Sequence, residues 1–170
     1  HLSIGTREYL RVLNAGGRPV ESLPVAEARK VLADVQAAVE VDLSGIDERE
    51  REIVADGHAL TLHLVRPHGS RGRLPYFVFI HGGGWVLGDY PTHRRLVRDL
   101  VVESEVAAVF VDYTPSPEAK YPQAVDEIYA AVKWVAENDA ELDLDRRRMA
   151  LVGNSAGGNM ALAAAFFTLV

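Results

Sequence analysis

The apolar positions change period along the chain, and each change marks an element. After Pro24, a favoured first helical residue, Val25, Ala28, Leu32, Val35 and Val39 recur at steps of three and four, which predicts an amphipathic helix. Tyr9, Leu10 and Leu13 predict a shorter helix before it, ended by Gly16 and Gly17. From Arg51 the period shortens to two. Leu60, Leu62 and Leu64 fall on one side of an extended segment and Thr61, His63 and Val65 on the other, the pattern of a half-buried strand near a sheet edge. Residues 52–55 predict its partner, joined to it by the hairpin turn Asp56-Gly57, and residues 67–75 read as a loop.

Residues 76–80, 106–111 and 149–152 are continuous apolar runs, as in strands covered on both faces. Between them lie two helical patterns, Leu96, Val97, Leu100 and Val101, and then Val125, Ile128, Tyr129, Val132 and Val135. The second starts after Pro122, with Asp126 and Glu127 near its positive end. Strands alternating with helices mean crossover connections, hence an α/β fold with a mostly parallel sheet and helices on both faces. The chain divides into a helical arm, residues 1–50, and an α/β part, residues 51–170, with no internal repeat. The arm reads equally as a lid over a site or as helices packed on the core.

Composition narrows the function classes. Of the 170 residues 48% are hydrophobic and 25% charged, which suits one globular domain with a core. A formal net charge of -6 with scattered basic residues argues against a nucleic-acid partner. The absence of cysteine excludes disulfides and cysteine-based zinc sites, and leaves the cytoplasm as the favoured compartment. No apolar run reaches the roughly 20 residues of a membrane span, so residues 160–170 read as a buried helix. The chain begins with His1, which is expected to follow a removed or omitted segment.

Two glycine-rich segments carry candidate chemistry. Gly153-Asn154-Ser155-Ala156-Gly157 matches G-x-S-x-G between a predicted strand and a helix predicted over 156–170, the setting of a nucleophile elbow. A serine on so tight a turn needs small neighbours, and the helix start behind it favours developing negative charge. A glycine-rich helix cap is the other reading of those five residues. His81-Gly82-Gly83-Gly84-Trp85 follows the apolar strand, at the end where parallel sheets bind ligands. Glycines there let backbone N–H groups approach a tetrahedral intermediate. A phosphate loop is disfavoured, because no Lys-Ser/Thr follows and G-x-G-x-x-G is not matched.

These motifs, with Gly88-Asp89, Thr92-His93, Asp112-Tyr113, Pro117-Glu118 and Tyr121-Pro122 between them, resemble the hormone-sensitive-lipase-type (bacterial family IV) esterases of the α/β-hydrolase fold. The resemblance runs from about Arg51 to Val170, with the N-terminal helices where that family carries part of its cap. It implies Ser155 as nucleophile, the N–H groups of Gly83, Gly84 and Ala156 as oxyanion hole, and His81 as a brace for the loop. It also implies a small ester of short to medium acyl chain as substrate, with no metal and no cofactor. Trp85 and Tyr90 are candidate pocket residues, with core packing the equal alternative for each. Asn154 stands where Asp or another small residue is commoner, and Thr114-Pro115-Ser116 replaces Arg-Leu-Ala, so the support of the active-site loops is expected to differ.

In that family an acidic residue and then a histidine follow the serine. Here no Asp, Glu or His follows Ser155. His58, His63 and His68 are expected far from the elbow, and His93 is the best spare candidate for a base. The expectation is therefore a chain truncated after the nucleophile helix, inactive and poorly soluble alone. A hydrolase-like binding module, or an amidase or thioesterase, is the alternative function.

Overall fold

The computed structural model describes residues 2–15 and 17–167. The helix stop expected at Gly16 and the last three residues of the helix expected over 156–170 lie outside the described residues. In chain order the elements are helix α1 (Ile4–Asn14), a 3₁₀ turn (Val20–Ser22), helix α2 (Val25–Ala37), strands β1 (Ile46–Ala55), β2 (His58–Pro67) and β3 (Leu74–Ile80), helix α3 (Tyr90–Ser104), strand β4 (Ala107–Asp112), helix α4 (Gln123–Glu137), strand β5 (Leu144–Gly153) and helix α5 (Ala156–Phe167).

The strands form one mixed sheet in the order β1-β2-β4-β3-β5. Asp56 and Gly57 both adopt positive φ, 46° and 85°, as a two-residue hairpin between right-twisted strands requires, and Ala55 pairs with His58 across them. This hairpin joins the sheet antiparallel through β2 and β4, whereas β4, β3 and β5 run parallel. From β3 the chain crosses to one side for β4 and then back over β3 to the other side for β5. Right-handed crossovers in opposite directions must use opposite faces. Accordingly, Val97 and Val101 of α3 pack with Phe77, Phe79 and Phe110 on one face. Ile128, Val132 and Val135 of α4 join Tyr76, Val78 and Ile80 on the other, together with Met160 and Ala164 of α5. The reversal opens a crevice at the carboxyl ends of the parallel strands, where three loops meet.

The arm differs from its sequence pattern. The apolar stripe expected to reach Val39 stops with α2 at Ala37, and only Ala28 on that helix is buried. No residue of α1 is buried. Strand β1 starts at Ile46, ahead of both the expected strand start and the 1–50 arm boundary.

Candidate active site

Strand β5 delivers Gly153, and the chain turns through Asn154 and Ser155 into α5. Ser155 has φ 52°, the left-handed region that a side chain enters at a cost of about 1 kcal/mol. The turn is forced on it by packing. A Cβ on Gly157 would lie 2.0 Å from the Ile80 carbonyl oxygen and 2.6 Å from that of His81, so the first turn of α5 presses directly on the end of β3. Ser155 is exposed, and its hydroxyl has no hydrogen-bond partner among the described residues.

Peptide planarity then decides where three N–H groups point, because a trans peptide directs its C=O and N–H to opposite sides. The Ser155 carbonyl accepts the Asn159 N–H at 3.2 Å within the helix, which turns the Ala156 N–H out of the helix start. The Gly83 carbonyl accepts from Val86 at 3.2 Å and Leu87 at 2.8 Å, which turns the Gly84 N–H the other way. A Cβ on Gly83, whose φ is 122°, would sit 2.0 Å from the Leu87 carbonyl oxygen, so this tight curl admits only glycine. The Gly82 carbonyl accepts from His81 Nδ1 at 2.8 Å, turning the Gly83 N–H away from the imidazole. Among the described residues none of these three N–H groups finds an acceptor.

His81 is tightly enclosed at the base of this loop. It is 1% exposed, stacked on Tyr113 at 4.3 Å and against Phe110 at 5.5 Å, and its carbonyl accepts the Tyr113 hydroxyl at 2.9 Å. A carbonyl acceptor at Nδ1 requires the proton on that nitrogen. Burial lowers the pKa of His81 against the opposing pull of the Gly82 carbonyl, so the ring is neutral at pH 7. The loop and the elbow are joined directly, since Asn154 Oδ1 accepts the Gly82 N–H at 2.9 Å.

A third loop, after β4, completes the rim. The Ser116 N–H donates to the Trp85 carbonyl at 2.7 Å. Buried Glu127 accepts from the Thr114 N–H at 2.7 Å and from Gln123 Nε2 at 2.8 Å. The Thr114-Pro115-Ser116 departure is thereby accommodated, because the loop is tied through the backbone N–H groups of Thr114 and Ser116 and through the Ser116 hydroxyl, which donates to the Ala119 carbonyl at 3.0 Å. From the arm, Arg29 reaches the same region: Nε donates to the Val86 carbonyl at 2.8 Å and Nη2 to the Ser116 carbonyl at 3.1 Å. Sequence reasoning missed Glu127 and Arg29 as site supports. Each occupies a stripe position of its helix, Glu127 four residues before Ala131 and Arg29 four after Val25, and a charge in an apolar stripe was the available signal.

Trp85, 48% exposed, lines a cavity of about 540 Å³ with Gly84, Tyr121, Val125, Met160 and Phe167. Tyr90 stands apart from it. Its side chain packs between α3 and the sheet, stacked on His63 at 4.0 Å and edge-on to Phe110 at 5.1 Å, with its hydroxyl donating to Glu48. The Asp89–Thr92 capping box at the start of α3, with Asp89 Oδ1 accepting the Thr92 N–H at 2.9 Å, sets that direction. His93 is also enclosed, its Nδ1 near Thr92 Oγ1 at 3.1 Å and the Asp89 carbonyl at 3.2 Å. His68 pairs with Asp47 and His63 with Asp112. No described histidine is hydrogen-bonded to Ser155. Among the described residues no group of three His, Asp or Glu side chains is placed to hold a metal ion, and no helix is long and apolar enough to cross a membrane.

This arrangement has counterparts. A family profile described as "alpha/beta hydrolase fold" matches residues 77–169. The structure superposes on that of a thermostable esterase from Pseudomonas putida ECU1011 with a TM-score of 0.94 and 53% identity, covering 96% of this chain and 52% of that one. The carboxylesterase NlhH of Mycobacterium tuberculosis is 42% identical over 113 residues, 66% of this chain and 35% of the relative. An ethyl acetate hydrolase of Pseudomonas putida is 30% identical over 162 residues, 90% of this chain and 51% of the relative. The chain thus spans about half, or less, of the length of the proteins it matches.

Proposed function

Because this chain belongs to the α/β-hydrolase-fold family, in its hormone-sensitive-lipase-type branch, we propose that it carries the nucleophile half of a serine carboxylesterase. The observation that carries the proposal is Ser155 at φ 52°, exposed on a strand–helix turn beside three outward N–H groups that find no acceptor among the described residues. The Ser155 hydroxyl adds to the ester carbonyl while a histidine outside these 170 residues takes its proton. Gly83, Gly84 and Ala156 donate to the oxyanion, each such donor supplying about 3 kcal/mol in the transition state. Collapse of the tetrahedral adduct expels the alcohol and leaves an acyl-serine, which water then hydrolyses. The positive end of α5 behind Ser155 favours the same negative charge.

The cavity beside Trp85 takes the apolar part of a short to medium acyl ester, and the name of the ethyl acetate hydrolase supports small esters as the class. The helices ahead of β1 serve as an arm over the loops, and the chain from Ile46 onward as the catalytic half-domain. The test uses the full-length gene product with a fluorophosphonate probe and p-nitrophenyl butyrate. Labelling and turnover are expected in the wild type and neither in Ser155→Ala. A wild type that is neither labelled nor active, or a fully active Ser155→Ala, overturns the proposal.

A further inference from the structure

The loop that presents Gly83 and Gly84 is anchored on the elbow side by Asn154 and in the core by His81, but its far end, Trp85 to Leu87, has no such foundation in the sheet. Trp85 itself holds a φ of 62°, a left-handed conformation that a residue other than glycine keeps only where neighbours over-determine it. Trp85 is half exposed, so its side chain does not supply that constraint. Besides the Val86 and Leu87 N–H bonds to Gly83 inside the loop itself, what ties the far end to the rest of the protein is hydrogen bonding to its carbonyls, from Ser116 N–H to that of Trp85 and from Arg29 Nε to that of Val86.

Arg29 uses its whole guanidinium here. Besides the Val86 and Ser116 carbonyls, it grips both carboxylate oxygens of Glu118, from Nη1 at 2.8 Å and from Nη2 at 2.7 Å. One planar group therefore fixes a spacing between two loops that follow different strands. The pair is partly open to water, 32% and 51% exposed at the side chains, so its Coulombic worth is small and its value lies in geometry. The Arg29 hydrogen bonds hold the Glu118 carboxyl down at about 2, so the clamp is ionised at neutral pH.

We propose that Arg29 is a positioning residue for the oxyanion loop, fixing the Val86 carbonyl relative to the Glu118 loop so that the Gly83 and Gly84 N–H groups stay aimed at the reacting carbonyl. The inference rests on the esterase reading above. Loosening the loop weakens donors that matter most in the transition state, so it lowers kcat and leaves KM nearly unchanged. Lysine cannot restore the function, because a point charge on a single stem cannot span two carbonyls and a carboxylate. Glu118→Gln, which leaves Arg29 free to hold both carbonyls, is milder.

The experiment compares full-length wild type, Arg29→Met, Arg29→Lys and Glu118→Gln. Turnover of p-nitrophenyl butyrate is measured beside amide hydrogen exchange over residues 82–89. Arg29→Met is expected to lose about tenfold in kcat, with KM within about twofold and faster exchange at Val86 and Leu87. Arg29→Lys should behave like Arg29→Met, and Glu118→Gln should fall between these and wild type. Unchanged kcat and unchanged exchange in Arg29→Met overturn the proposal, as does a loss of activity that only follows a loss of folded protein. An inactive wild type counts against the esterase reading instead, and the exchange measurement still decides whether Arg29 orders the loop.

Discussion

Asn154 Oδ1 accepts the Gly82 N–H at 2.9 Å, so the residue before the candidate nucleophile also anchors the loop that faces it. Strand ends from β5 and β3 are thereby locked in register at the point where chemistry is proposed. Replacing Asn154 by Leu removes the acceptor and leaves a buried N–H unpaired, a cost of about 1–3 kcal/mol. Ester turnover by Asn154→Leu is expected to fall about tenfold or more, while Asn154→Asp, which keeps an acceptor oxygen, retains most of it. Steady-state kinetics of the two variants check this.

Gly157 packs where a methyl group would meet the backbone of β3, 2.0 Å from an oxygen that cannot move without breaking the sheet. Gly157→Ala is expected to destabilise the fold by about 3 kcal/mol, seen as a lowered urea midpoint. Gly84→Ala, which meets nothing within 4 Å and costs only the backbone penalty of about 1 kcal/mol at φ 63°, serves as the contrast.

The strain at Ser155 gives a prediction that separates function from stability. Ser155→Gly and Ser155→Ala should both abolish turnover, yet the glycine variant should be the more stable by about 1 kcal/mol, because it occupies φ 52° without a side-chain clash. Equal urea midpoints for the two would contradict a strained elbow.

Burial lowers the pKa of both His81 and His93 below the ordinary histidine value of about 6.5. Each therefore binds a proton more weakly folded than unfolded. Their contribution to stability is complete above about pH 6.5 and is lost as the pH falls through the lower folded-state values. The urea midpoint is expected to decline from pH 7.5 to 5.5, and the decline should be shallower in His93→Gln. A flat wild-type profile would refute this assignment.

What was legible in the sequence was whatever local sterics dictate. The hairpin turn at Asp56-Gly57, the apolar runs of β3, β4 and β5, and the two glycine-rich turns follow from neighbours in the chain. The first part of β1, Ile46 to Arg51, was missed because an unpaired sheet edge is kept charged and so carries no apolar period. The first half of β5, with Asp145, Arg146, Arg147 and Arg148, was missed for want of the same signal. For Tyr90 the sequence left pocket lining and core packing equal, and only the helix cap at Asp89 reveals that it turns inward. Arg29 left one local trace, a charge in an apolar stripe, but its partners were not legible for a different reason. Its partners are 57 to 89 residues away, and no local pattern encodes a contact at that distance.

That long separation bears on how the molecule fails. Helix α1 buries nothing and α2 buries Ala28 alone, so detaching the arm costs far less than melting the sheet. When it lifts away, the Val86 and Ser116 carbonyls lose their shared donor while β2 to β5 stay folded. Inactivation should therefore come at a lower denaturant concentration than loss of the core, and a protease that nicks the arm should silence a molecule whose sheet is still intact.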